Sequence, residues 1–127
     1  MEIVIVENDA SLLRTLKILL EGRGDRVKAF DRPVETCSFL EQGGSYDVMI
    51  VDYMMPELTA GELLERTRGY LSRDGFIILI SGHTDVVEQL NLKSMGVDIF
   101  LPKPLDLELL WEAVGSGGKA ESRSMPT

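Results

Sequence analysis

Apolar residues in this chain fall into short continuous runs separated by stretches of helical spacing. Ile3-Val4-Ile5-Val6, Val48-Met49-Ile50-Val51 and Phe76-Ile77-Ile78-Leu79-Ile80 are rich in β-branched side chains, which predicts strands buried on both faces. Arg26 to Phe30 is more polar and reads as a strand at a sheet edge, and Val97 to Leu101 reads as a fifth strand. Between the runs, Leu12, Leu13, Leu16, Leu19 and Leu20 recur at helical spacing, so a helix is predicted from Ala10 to Glu21, ended by Gly22 and Gly24. Asp31-Arg32-Pro33 opens a second helix, with Asp31 as the expected cap and Pro33 in the first turn. Leu63, Leu64, Thr67 and Leu71 mark a third helix, with Gly75 in the turn after it. Val86, Val87, Leu90 and Met95 mark a fourth, capped by Thr84 or Asp85 and ended by Gly96. Asp106 opens a fifth, which carries Leu109, Leu110, Trp111 and Val114.

Five strands alternating with five helices predict an α/β fold, a doubly wound parallel sheet with helices on both faces. Right-handed crossovers keep the strands pointing one way, so all strand ends share one edge, where such sheets bind ligands. From Gly115 onward the composition shifts to Gly, Ser, Lys, Glu and Pro. Residues 1–115 therefore read as one domain and residues 116–127 as a flexible tail or linker.

Composition narrows the classes. A chain of 127 residues suits a single core. A net charge of −8 argues against direct nucleic-acid binding, which draws on basic surface. One cysteine, Cys37, allows no internal disulfide and fits a reducing compartment. Met1-Glu2 lacks the positive start of a signal peptide, and no apolar run approaches the roughly 20 residues that span a bilayer. A cytoplasmic protein with no membrane partner is expected.

The shared edge gathers Glu7, Asn8 and Asp9 after the first strand, Asp52 after the third, Ser81 after the fourth and Lys103 after the fifth. Taken alone, Asp52 reads as a turn former or helix cap, Ser81 as a turn former, Lys103 as a solvated side chain and His83 as a solvated loop residue. Together they differ from that. Clustered carboxylates repel unless a cation joins them, and hard oxygens from Glu7, Asn8, Asp9 and Asp52 suit Mg²⁺. Lys103 adds a compact positive charge, held by Pro102 and Pro104 on either side. A divalent cation and one ammonium offset three carboxylates, so an incoming phosphoryl group would meet no net negative pocket. Phosphoryl transfer needs mainly positioning and neutralisation, with aspartate as a competent nucleophile. Whether Asp9 faces the site or caps its helix is open at this stage.

Val6-Glu7-Asn8-Asp9, Val51-Asp52-Tyr53-Met54-Met55-Pro56, Ile80-Ser81-Gly82-His83 and Leu101-Pro102-Lys103-Pro104 resemble, in that order and each at a strand end, the receiver domain of two-component response regulators. The resemblance covers about residues 2–115. It implies a flavodoxin-like (CheY-like) fold with strand order 2-1-3-4-5. It implies that Asp52 accepts a phosphoryl group from a sensor histidine kinase or phosphotransfer protein. Mg²⁺ would be held by Glu7, Asn8, Asp52 and the backbone carbonyl of Met54, with Asp9 in reserve. Ser81 and Lys103 would contact the phosphoryl oxygens, and Ser81 and Phe100 would form the switch. Met54 and His83 would modulate dephosphorylation. The face made by the fourth helix, fifth strand and fifth helix would change its preference for a downstream protein or output domain, and leaves room for a homodimer. Its chemistry would be autocatalytic acceptance and loss of phosphate rather than enzymic turnover.

The chain departs from the family pattern at two places. Asn8 stands where a second, metal-ligating acid is usual, so weaker Mg²⁺ binding is expected unless Asp9 turns inward. Ala60 stands where Gly is frequent, with Gly61 next, so that loop is expected to be shaped differently. Asn8 also favours the alternative of a degenerate receiver that binds proteins without phosphorylation. A phosphatase or phosphotransferase using an aspartyl nucleophile is disfavoured because Met54 stands where haloacid-dehalogenase-type enzymes carry a second aspartate, and flavin mononucleotide binding because Glu7-Asn8-Asp9 would repel its phosphate.

Overall fold

The continuous apolar runs form strands because helices cover both of their faces. A computed structural model describes residues 1–70 and 75–123. The elements in order are β1 (Glu2–Val6), α1 (Ala10–Gly22), β2 (Arg26–Phe30), α2 (Pro33–Glu41), β3 (Val48–Asp52), α3 (Ala60–Arg66) with a 3₁₀ turn at Arg68–Tyr70, β4 (Phe76–Ser81), α4 (Thr84–Val87), α5 (Leu92–Met95), β5 (Ile99–Pro102) and α6 (Leu107–Arg123). All strands pair in parallel, in the order β2-β1-β3-β4-β5. This is the doubly wound parallel sheet that the alternation predicts, in the flavodoxin-like order that the resemblance implies.

Alternation along each strand divides the core in two. Val4, Val6, Met49, Val51, Ile77 and Leu79 face α2 and α3, where they meet Cys37, Leu40, Leu63 and Leu64. Ile3, Ile5, Val48, Ile50, Ile78 and Ile80 face α1 and α6, where they meet Leu16, Leu20, Leu110 and Val114. Every residue of β3 is buried, whereas β2 at the edge is exposed or half-buried throughout. Cys37 is a buried thiol of the first core, as its helical position suggests.

Several local expectations change. The fourth helix is two short ones, α4 and α5, because Asn91 restarts the chain as a cap, its Oδ1 accepting from Ser94 N–H at 3.2 Å. Six α-helices are thus described, against five expected. Arg32, not Asp31, is the N-cap of α2, and His83, not Thr84 or Asp85, that of α4; neither makes a side-chain cap hydrogen bond. The expected third-helix position Leu71 lies outside the described residues. The last helix runs on past Gly115, where the tail was expected to begin, to Arg123. The reason lies at Gly117, where an added Cβ would come within 2.6 Å of Val48 Cγ2 and 3.2 Å of Phe76 Cβ. Absence of a side chain there lets α6 lie directly on the starts of β3 and β4. The remainder of the expected tail, residues 124–127, lies outside the described residues.

Candidate functional site

Parallel pairing brings the ends of β1, β3, β4 and β5 to one rim. Glu7 follows β1 directly, and its N–H donates to Phe30 O at 3.0 Å. Asp52 ends β3, in register with Ile80, and Ser81 ends β4, in register with Pro102. Lys103 follows β5, and its N–H donates to Ser81 O at 2.8 Å. The Lys103–Pro104 peptide is cis.

Glu7, Asp52 and Lys103 meet as side chains too. Glu7 and Ser81 are wholly buried, and Asp52 is 5% exposed. The Lys103 ammonium donates to Asp52 Oδ2 at 3.1 Å and also pairs with Glu7 Oε1. One cation thus joins two buried acids. Burial, then a hydrogen bond shared with Asp52, push the Glu7 carboxyl up to about 7, against the opposing pull of Lys103. Burial draws the Lys103 ammonium down, but hydrogen bonds and charge from Glu7 and Asp52 outweigh it and hold its pKa above the usual lysine range.

The other expected site residues sort less tightly. Asp9 is a cap: its Oδ1 accepts from Ser11 N–H at 3.0 Å and Leu12 N–H at 3.2 Å, which resolves the ambiguity in the sequence. Asn8 is exposed. Ser81 Oγ turns to its own loop, accepting from the N–H of exposed His83 at 2.9 Å. Phe100 is half-buried against the first core. The Met54 side chain is 44% exposed. The loop holding it is anchored at its ends, where Tyr53 N–H donates to Ile80 O and Ala60 N–H to Tyr53 O, each at 2.9 Å. Ala60 is wholly buried.

Among the described residues no group of three or more His, Cys, Asp or Glu side chains gathers to hold a metal. Two buried carboxylates do converge, and Mg²⁺ binds through one or two carboxylates while keeping several waters. Glu7 and Asp52 therefore fit it, and Lys103 spans the two acids.

Two features of the rim escaped the sequence reading. Thr59 and Glu62 form a capping box at α3, whose Thr-x-x-Glu spacing was visible in the chain. Arg32 and Glu57 pair across 25 residues, for which no local pattern gives a signal.

Comparison with known proteins agrees with this geometry. The sequence profile described as "Response regulator receiver domain" matches residues 3–115. The transcriptional regulatory protein FlgR of Helicobacter pylori is 29% identical over 115 residues, spanning 90% of this chain and 29% of its own length. The transcriptional regulatory protein FixJ of Bradyrhizobium diazoefficiens is 30% identical over 116 residues, spanning 90% of this chain and 55% of its own length. The chain thus spans about half or less of the length of these two relatives. A response regulator receiver domain protein from Clostridium thermocellum superposes with a TM-score of 0.84 at 25% identity, covering 98% of each chain. No helix among the described residues is long and apolar enough to cross a membrane. The chain belongs to the response regulator receiver domain family.

Proposed function

We propose that Asp52 is the phosphoacceptor of a two-component signalling pathway and takes its phosphoryl group from the phosphohistidine of a sensor histidine kinase or phosphotransfer protein. An Asp52 carboxylate oxygen attacks phosphorus as the bond from phosphorus to the donor imidazole breaks, and the imidazole leaves to take up a proton. Lys103, already on Asp52 Oδ2, balances charge on the phosphoryl oxygens as it grows. Ser81 exchanges its bond from His83 N–H for the phosphoryl group, and Phe100, half-buried on the neighbouring strand in register with Leu79, follows. Mg²⁺, held by Glu7, Asp52 and the Met54 carbonyl, would supply further neutralisation. Water later attacks phosphorus, inorganic phosphate leaves and the Asp52 carboxylate returns, so the chain turns over only itself. Met54 and His83, both exposed, would regulate that water.

The observation that carries this reading is the single ammonium joining two buried acids at the sheet rim. The test is intact mass after incubation with phosphoramidate and Mg²⁺. Wild type should gain one phosphoryl group and Asp52→Asn none. No gain on wild type overturns the reading in favour of a receiver that binds partners without phosphate, which exposed Asn8 and the absence of a three-acid group among the described residues favour.

Asp9 is occupied as a cap and Asn8 carries no charge, so Mg²⁺ binding weaker than the family norm follows; a submicromolar Kd would refute it. The output face is the one built from α4, α5, β5 and α6, where Val86, Leu107 and Leu109 are exposed apolar residues. It suits a downstream protein, an output domain or a second copy. A cytoplasmic location fits this chemistry.

A further inference from the structure

Arg32 and Glu57 lie outside the acid cluster yet tie together the two loops that flank it. Arg32 precedes α2, and its side chain caps nothing there. Instead its Nε donates to Glu57 Oε1 at 3.2 Å and its Nη2 to Oε2 at 2.8 Å. That fork-on-carboxylate geometry fixes direction as well as distance. Each partner's pKa moves accordingly, Arg32 upward and Glu57 downward.

Glu57 sits at a backbone position that side chains resist. Its φ is 79°, and it is the one non-glycine residue at positive φ among the described residues. Leu58 N–H donates to Pro56 O at 3.0 Å, closing a three-residue turn around Glu57, and turns of this hand are rare and strained. Glycine would hold this backbone without strain. A glutamate that bears it, and is gripped at both carboxylate oxygens, points to use of its side chain. The loop's ends are anchored by Tyr53 and Ala60, and the pair with Arg32 holds its middle.

We propose that Arg32 is a positioning residue for the phosphoryl site: its bidentate grip on Glu57 fixes the turn after Pro56 and hence the loop carrying Met54, whose carbonyl would help hold the cation. This rests on the reading of Asp52 as a Mg²⁺-assisted phosphoacceptor. Both partners are substantially exposed, at 55% and 40%, and most exposed ion pairs contribute little unless bidentate. A plain surface pair and a positioning pair give opposite signs in one measurement. Removing a positive charge from the mouth of the site should tighten Mg²⁺ binding by simple electrostatics, whereas loosening the loop should weaken it.

The experiment is Mg²⁺ titration followed by amide chemical shifts around Glu7 and Asp52, with circular dichroism confirming that each variant is folded. Arg32→Ala should weaken Mg²⁺ binding about three- to fivefold, the range of a well-formed bidentate pair. Arg32→Lys, which keeps the charge and loses the fork, should weaken it about twofold. Tighter or unchanged binding in Arg32→Ala overturns the proposal. Exchange of the Ala60 amide proton, measured without metal, should quicken in Arg32→Ala as the loop loosens. If wild type shows no Mg²⁺-dependent shifts, the phosphoacceptor reading fails on its own. Ala60 exchange then decides the strap, and unchanged protection sinks it.

Discussion

Glu7 is where burial and charge conflict most directly. It is wholly buried, it neighbours a second acid, and its carboxyl titrates near 7 rather than in the usual glutamate range. In the folded chain it therefore keeps a proton that the unfolded chain has lost between pH about 4.5 and 7. The folded state binds more protons across that window, so stability falls as pH rises through it and levels off above it. The full effect is at most about 3 kcal/mol, with the opposing pull of Lys103 already included. Urea unfolding in EDTA as a function of pH should show this decline, and Glu7→Gln should flatten it. An unchanged slope in the variant would assign the decline to another group. Lys103→Ala should be severe, because it leaves two buried acids without their cation. A loss of about 3 kcal/mol near pH 7 is expected from breaking a buried pair, read from the same urea curves.

At the scale of elements, α6 carries the sharpest contrast. Gly115 and Gly117 are two residues apart, and helix propensity alone favours alanine at both. Gly115 has open space around its missing side chain, while Gly117 lies against Val48 and Phe76. Gly115→Ala should therefore stabilise the chain by about 0.5–1 kcal/mol, and Gly117→Ala should destabilise it by about 1–3 kcal/mol through overpacking. Equal effects in denaturant titrations would show that α6 does not rest on the sheet at this point. The break between α4 and α5 follows similar logic. Two four-residue helices are too short to stand on hydrogen bonding alone, so they persist through Val87 of α4 in the first core and Leu92 and Met95 of α5 packed against it. The Asn91 cap and Gly96 at φ 84° fix the ends of the second.

For the whole molecule, one sheet supplies both cores. Val48 and Ile50 face one side, Met49 and Val51 the other, so neither core survives without β3. Unfolding should be cooperative: Trp111 fluorescence, which reports on the α6 side, and far-ultraviolet circular dichroism should give coincident urea midpoints. Separate midpoints would mean that the two layers melt independently. Much of this architecture was legible in the chain. Continuous β-branched runs, helical leucine spacing and glycine stops are local statements about burial and backbone freedom, and parallel pairing follows from their alternation. The same pattern brought Asp52, Ser81, Glu7 and Lys103 to one edge, because strand ends in such a sheet have nowhere else to lie. What the chain could not specify depends on through-space neighbours. Asp9 became a cap, Lys103 came to bridge Glu7 and Asp52, and Arg32 reached Glu57 because side-chain partners were fixed only once the loops had packed. Gly117, a helix breaker by propensity, became part of a helix because close contact with β3 and β4 outweighs a local preference worth about 1 kcal/mol.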